Sequence, residues 1–213
     1  MSDKINNLNN EIERVFESIL NSATSNEKQP ATEIEKDSKV LLNKLIHLDG
    51  SFENLLNKFL LIPLRESTEE EKEDINKSYE DFFNDFKTTA KLMVDFFNKY
   101  QTGGAYADTG LIARLEKKYL DSQECYNTVI IKANKNTDPE YQKLIDHLND
   151  AYFAYVYLLR GYNSIINVYN TKHPEAQIRQ ISNVPAPETL GTFADPEVQT
   201  FVTNFITSLK QLL

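Results

Sequence analysis

The sequence predicts an all-α protein, an elongated bundle of five to six long helices with a Pro-containing crossover before the last one. Three observations carry this. Apolar residues recur at alternating steps of three and four in five or six stretches, which lays one apolar stripe along each helix. Helix-start signals stand ahead of most of those stretches. The 213 residues include only six Gly and seven Pro, which favours long elements over many turns.

The first helix is expected over about residues 3–21. Ile5, Leu8, Ile12, Val15 and Ile19 follow steps of 3, 4, 3 and 4, the narrow seam of a coiled coil. Residues 1–22 therefore read as a docking helix, and the polar stretch 23–31 as its linker. Thr32-x-x-Glu35 then matches a capping box, in which each side chain satisfies a first-turn N–H. Behind it Leu41, Leu45, Leu48, Phe52, Leu55 and Phe59 keep one register across Asp49-Gly50-Ser51. A loop has no reason to preserve register, so one helix over about 32–61 is expected, ended by Pro63. Gly50 costs it up to ~1 kcal/mol relative to Ala.

Ser67-x-x-Glu70 reads as a second capping box. The acids Glu70, Glu71, Glu73 and Asp74 complement the positive end of the helix dipole rather than marking a metal site. Ile75, Tyr79, Phe82, Phe83, Phe86, Ala90, Met93, Phe96, Phe97 and Tyr100 continue this helix, and Gly103-Gly104 stops it. Asp108 caps the next, whose seam is Ile112, Leu115, Tyr119, Tyr126, Val129 and Ala133, with polar Ser122 filling one slot.

Asp138-Pro139 opens the most regular element, since Pro is tolerated where a helix N–H has no partner. From Tyr141 to Tyr169 the 4, 3 alternation is unbroken, and a second apolar set makes this helix apolar nearly all round. Such a helix is central in a bundle or lies in a membrane. Arg160, Asn163 and Asn167 interrupt it, so a membrane span is rejected. Residues 32–171 form the expected bundle core. Residues 172–194, with three prolines, read as an irregular crossover, either a surface wrap or a functional loop. Asp195-Pro196-Glu197 opens a C-terminal helix over 195–213.

Composition narrows the function. A net charge of −9 argues against a nucleic-acid backbone as partner. The basic run Arg114-Leu-Glu-Lys117-Lys118 reads as a solvated helix face. Cys125 is the lone cysteine, so no intrachain disulfide forms, and it reads as a small buried hydrophobe. The N-terminus lacks an apolar signal region, which fits an intracellular (cytoplasmic or nuclear) or virion setting. The 18 Lys against 5 Arg, with 21 Asn, point to a low-GC genome.

No catalytic residue, cofactor site or metal site is expected. The Glu-x-x-His pairs of di-iron bundles do not precede His47, His147 or His173. Neither HExxH, CxxC, a P-loop nor GxSxG occurs. His147 beside Asp146 reads as an exposed or hydrogen-bonded histidine, and Arg160 as a structural cation. The expected function is that of a non-enzymatic structural or adaptor subunit in a viral or cellular assembly, working through protein partners in a hetero- or homo-oligomer. The candidate contacts are the seam Ile5, Leu8, Ile12, Val15 and Ile19, and the C-terminal face of Phe201, Phe205, Leu209 and Leu212. The alternative is a monomeric peptide- or ligand-binding module with a groove lined by Tyr155 and Tyr162. The other reading of those tyrosines is core lining.

Overall fold

The computed structural model describes residues 30–62, 67–100 and 108–212. The seam at Ile5 to Ile19, the stop at Pro63 and the Gly103-Gly104 stop lie outside the described residues. Five α-helices are present and no strand occurs among the described residues: α1 (Pro30–Leu61), α2 (Glu69–Lys99), α3 (Thr109–Ala133), α4 (Pro139–Lys172) and α5 (Pro196–Leu212). At 1.5 Å per residue the four longer helices run from ~38 to ~51 Å.

Helix α1 crosses Gly50 without a break, as the shared register requires. Leu41, Leu45, Leu48, Phe52, Leu55 and Phe59 are all fully buried. Two start signals need correction. Helix α1 begins at Pro30, two residues ahead of Thr32, where a missing N–H costs nothing. For α2 the capping box is Thr68 with Glu71, one residue beyond the pair Ser67 and Glu70. The Thr68 hydroxyl accepts from the Glu71 N–H at 3.2 Å, and the Glu71 carboxylate accepts from the Thr68 N–H at 2.7 Å. Both spacings match the motif equally; Ser67 loses because its side chain is buried. Asp108 and Asp138 cap α3 and α4 as expected.

Helix α4 is the central element and touches each of the other four. Helix α1 lies against α2 and α3, and α5 lies across α2 and α4. The core is aromatic where α1, α2, α3 and α4 meet. Phe52 packs 5.7 Å from both Phe82 and Tyr155, and Tyr119 meets Tyr155 edge-on at 5.8 Å. Each such buried side chain contributes about 1.5–3 kcal/mol through removal from water.

Between α4 and α5 the chain carries one short 3-10 turn, Pro187–Thr189, and is otherwise irregular. Ile181 is the single fully buried side chain over residues 173–195. This crossover is a strap held to the bundle by a set of polar contacts and by a few apolar side chains, Ile181 the most deeply buried of them.

Candidate functional site

The best-organised polar cluster is the groove between α3 and α4 that takes the strap. Asn163 and Asn170 stand seven residues apart on α4, hence on one face and ~10.5 Å apart along the axis. Ile181 and Ile178 stand three residues apart in a non-helical segment, ~9–10 Å at extended rise. The two spacings match, and each asparagine grips one isoleucine's main chain twice. Asn163 Nδ2 donates to the Ile181 carbonyl at 2.9 Å while its Oδ1 accepts from the Ile181 N–H at 2.8 Å. Asn170 does the same with Ile178, at 2.7 and 2.8 Å. Arg160 Nη1 donates to the Pro185 carbonyl at 2.9 Å, so the strap runs antiparallel to α4.

The other wall is α3. Glu116, 7% exposed, accepts from the Ser182 N–H at 2.9 Å, from the Ser182 hydroxyl, and from Arg179 Nη2 at 3.0 Å. Burial disfavours the charge on Glu116, but these donors together outweigh it and hold the carboxyl below its usual range. The Tyr119 hydroxyl donates to the Asn183 carbonyl at 3.2 Å. Asn183 has φ 58°, a left-handed conformation that Asn tolerates better than most residues. A polar cleft of about 430 Å³ beside this segment is lined by Arg160, Asn163, Asn167, Gln180 and Asn183, among others.

The far end of the strap is tied to α4 by Asp150, 1% exposed, whose two oxygens accept from the Ala194 and Asp195 N–H groups at 2.8 Å each. Burial pushes this carboxyl up, and the two N–H donors oppose that. Phe193 seals the junction, 6.0 Å edge-on from Phe153. Nearby, His147 stacks on Tyr79 at 4.5 Å, and both line or adjoin a second cleft of about 430 Å³ with Lys72, Lys143 and Asp195. His147 therefore acts here as a flat packing surface.

Two other polar groupings bring together residue types that can do chemistry. His47, Ser51 and Asp85 contain the residue types of a nucleophilic triad, but not its geometry. The Ser51 hydroxyl donates to Asp85 Oδ2, and His47 Nε2 lies 3.5 Å from that same oxygen. A base must sit between nucleophile and acid to relay a proton; here the carboxylate takes that place. The second grouping is buried. Asp49 accepts from the Tyr155 hydroxyl at 2.7 Å and the Ser122 hydroxyl at 3.2 Å, with Lys118 at 4.0 Å. Burial pushes the Asp49 carboxyl up to about 6. Asp49 is fully buried, so this cluster ties α1, α3 and α4 together rather than meeting a substrate. No group of three or more His, Cys, Asp or Glu suited to a metal occurs among the described residues. None of the described helices is long and apolar enough to cross a membrane.

The residues singled out from the sequence fall as follows. Tyr155 and Tyr162 are buried, 0% and 4% exposed. Phe205 and Leu209 turn inward over Gly161, and Phe201 meets Phe83 and Phe86 edge-on at 6.2 and 5.6 Å. Leu212 is half-buried. The apolar face of α5 is thus laid on its own bundle. Ile5, Leu8, Ile12, Val15 and Ile19 lie outside the described residues. Cys125 is only half-buried, with its thiol pushed up by burial. Arg160 holds the strap. Sequence reasoning missed Glu116, Asp150, Asn163 and Asn170. Its one available signal was the seven-residue spacing of Asn163 and Asn170 on a largely apolar helix. Compared with known proteins, the chain matches no family model, and no curated protein or solved structure is significantly similar to it.

Proposed function

We propose that this protein is a non-enzymatic structural or adaptor subunit that works by protein–protein contacts within a larger assembly, viral or cellular. One observation carries the reading: its best-organised polar cluster is aimed at main-chain amides and carbonyls. Asn163, Asn170, Arg160 and Glu116 together satisfy six main-chain groups of an irregular segment. That is the chemistry of holding polypeptide. Two further features support it. Leu61 is 79% and Ile131 65% exposed at one end of the bundle, where Lys132 reaches the Leu60 and Ile62 carbonyls. Both are large apolar side chains left in solvent, the kind of surface that a partner would cover. The seam from Ile5 to Ile19 has the spacing of a helix that pairs with another helix.

The test is affinity purification of the tagged full chain from its native source, read by mass spectrometry and light scattering. A stoichiometric partner set is expected, and deletion of residues 1–28 is expected to leave the helical circular dichroism intact while losing a partner. A full chain that purifies alone as a monomer, or a truncation that unfolds, counts against the adaptor reading.

A further inference from the structure

The geometry points to the α3–α4 groove as a binding site for an extended polypeptide segment of the pattern Ile-Arg-x-Ile-Ser, filled in cis by residues 178–182 and taken by a partner's segment when the strap lifts. The inference rests on the adaptor reading and names the chemistry of its partner. Three observations carry it.

First, the grip is general for polypeptide. Asn163 and Asn170 each satisfy both main-chain groups of one residue, so any extended chain can make those four hydrogen bonds. Selectivity enters at four points: the buried Ile181 side chain, the half-buried Ile178 side chain packed on the core, and Arg179 and Ser182 on the buried Glu116 carboxylate. An occupant must therefore bring an apolar residue, a second apolar residue three positions before it, a cation two positions before it and a hydroxyl one position after it. Second, the strap can leave without opening the core. Apart from Ile181, no side chain from 173 to 195 is fully buried; Ile178, Val184, Leu190 and Phe193 rest half-buried on the outside of the core. Local release of such a segment draws on the low end of a protein's stability range. Third, the segment is bracketed by Gln177 at φ 41° and Asn183 at φ 58°, both in the left-handed region that L side chains disfavour. Lifting relieves both.

The probe is a fluorescein-labelled, end-blocked peptide of residues 176–186, added to the full chain and followed by fluorescence anisotropy. Ile181→Asp places a carboxylate in an apolar seat beside Glu116 and lifts the strap. Saturable binding to that variant, at least tenfold tighter than to the wild type, is expected. N-methylation of the peptide at Ile178 and Ile181 removes the donors that the asparagines accept and should abolish binding. Replacing the exposed Gln180 in the peptide should leave it unchanged. A strap-lifted variant with full helicity that binds no peptide overturns the proposal. A concentration-dependent dimer that Asn163→Ala dissolves also overturns it, by assigning the groove to a second copy of the chain. Should Ile181→Asp lose its helicity, Arg179→Glu with Ser182→Ala lifts the strap by charge repulsion at Glu116. If both unfold, the strap belongs to the core and the proposal fails. This assay needs no native partner, so its failure is separable from failure of the adaptor reading.

Discussion

The Tyr155 hydroxyl donates to Asp49 Oδ2 at 2.7 Å, joining α4 to α1 across 106 positions of chain in a fully buried pair. A carboxylate in that place is in tension. It accepts two hydroxyl protons and stands 4.0 Å from Lys118, yet desolvation is the larger effect and keeps its proton on up to about pH 6. In the unfolded chain the same group ionises near 3.8. Between those values the folded state holds more protons than the unfolded one. Stability therefore falls as pH rises from about 4 to about 6, then stays at the lower level.

Asp49→Asn tests this, because asparagine resembles the protonated acid at every pH. The variant is expected to be more stable than the wild type at pH 7.5, by about 1–3 kcal/mol, with the gain vanishing towards pH 4. Thermal melts of both proteins over pH 4–8 give the comparison. Parallel curves, or a variant less stable at pH 7.5, would mean that the hydrogen bonds and Lys118 offset the burial.

Glu116 titrates in the opposite sense. Its carboxyl is held below the ordinary glutamate range, so its contribution is present above about 4.3 and is lost as pH falls through the lower, folded value. The loss should be local, because Glu116 holds the strap and not the seams. Amide resonances of Ile181 and Ser182 should move towards unfolded positions below pH 4 while those of Leu45 and Leu148 stay. At pH 7, Glu116→Gln should weaken protection of the Ser182 amide about tenfold, equivalent to ~1.4 kcal/mol. Unchanged exchange there would remove Glu116 from the strap's anchors.

The capping chemistry separates two adjacent residues. The Thr68 hydroxyl and the Glu71 carboxylate satisfy each other's N–H groups, whereas Ser67 Oγ is buried without a hydrogen-bond partner among the described residues. Thr68→Ala should cost about 1 kcal/mol in urea denaturation. Ser67→Ala should be neutral or slightly stabilising, since it removes an unsatisfied polar atom. The reverse order would restore the pair read from spacing alone.

The bundle was legible because its apolar ladders are long and unbroken. Leu41 to Phe59 kept one register through Asp49-Gly50-Ser51, and the helix indeed runs through it. What that triplet does was not legible: Asp49 faces Tyr155 and Ser122 from two distant helices, and helical period reports which face is buried, never what waits there. The start of α2 slipped by one because Ser67 and Thr68 both satisfy the motif, and only burial separates them. The strap's anchors were hidden for a similar reason. Asn163 and Asn170 look like ordinary polar margin until the irregular chain 8–18 residues onward is laid beside them.

Gly161 shows the same limit at the α4–α5 contact. A Cβ there would stand 2.8 Å from Leu209 Cδ1, 3.0 Å from Phe205 Cζ and 3.1 Å from Met93 Sδ. The glycine lets α5 lie close, although it weakens α4 by up to ~1 kcal/mol relative to Ala. Gly161→Ala should fall within about 1 kcal/mol of the wild type, because the propensity gain offsets small shifts at the tips of Leu209 and Met93. Gly161→Leu cannot be absorbed in that way, and overpacking should cost about 1–3 kcal/mol. The damage should appear first in α5. Amides of Val202 and Phe205 should lose hydrogen-exchange protection in the Leu variant, while Leu45 in α1 keeps its own. If those α5 amides stay protected and the urea midpoint does not move, close approach over Gly161 is not what seats the last helix.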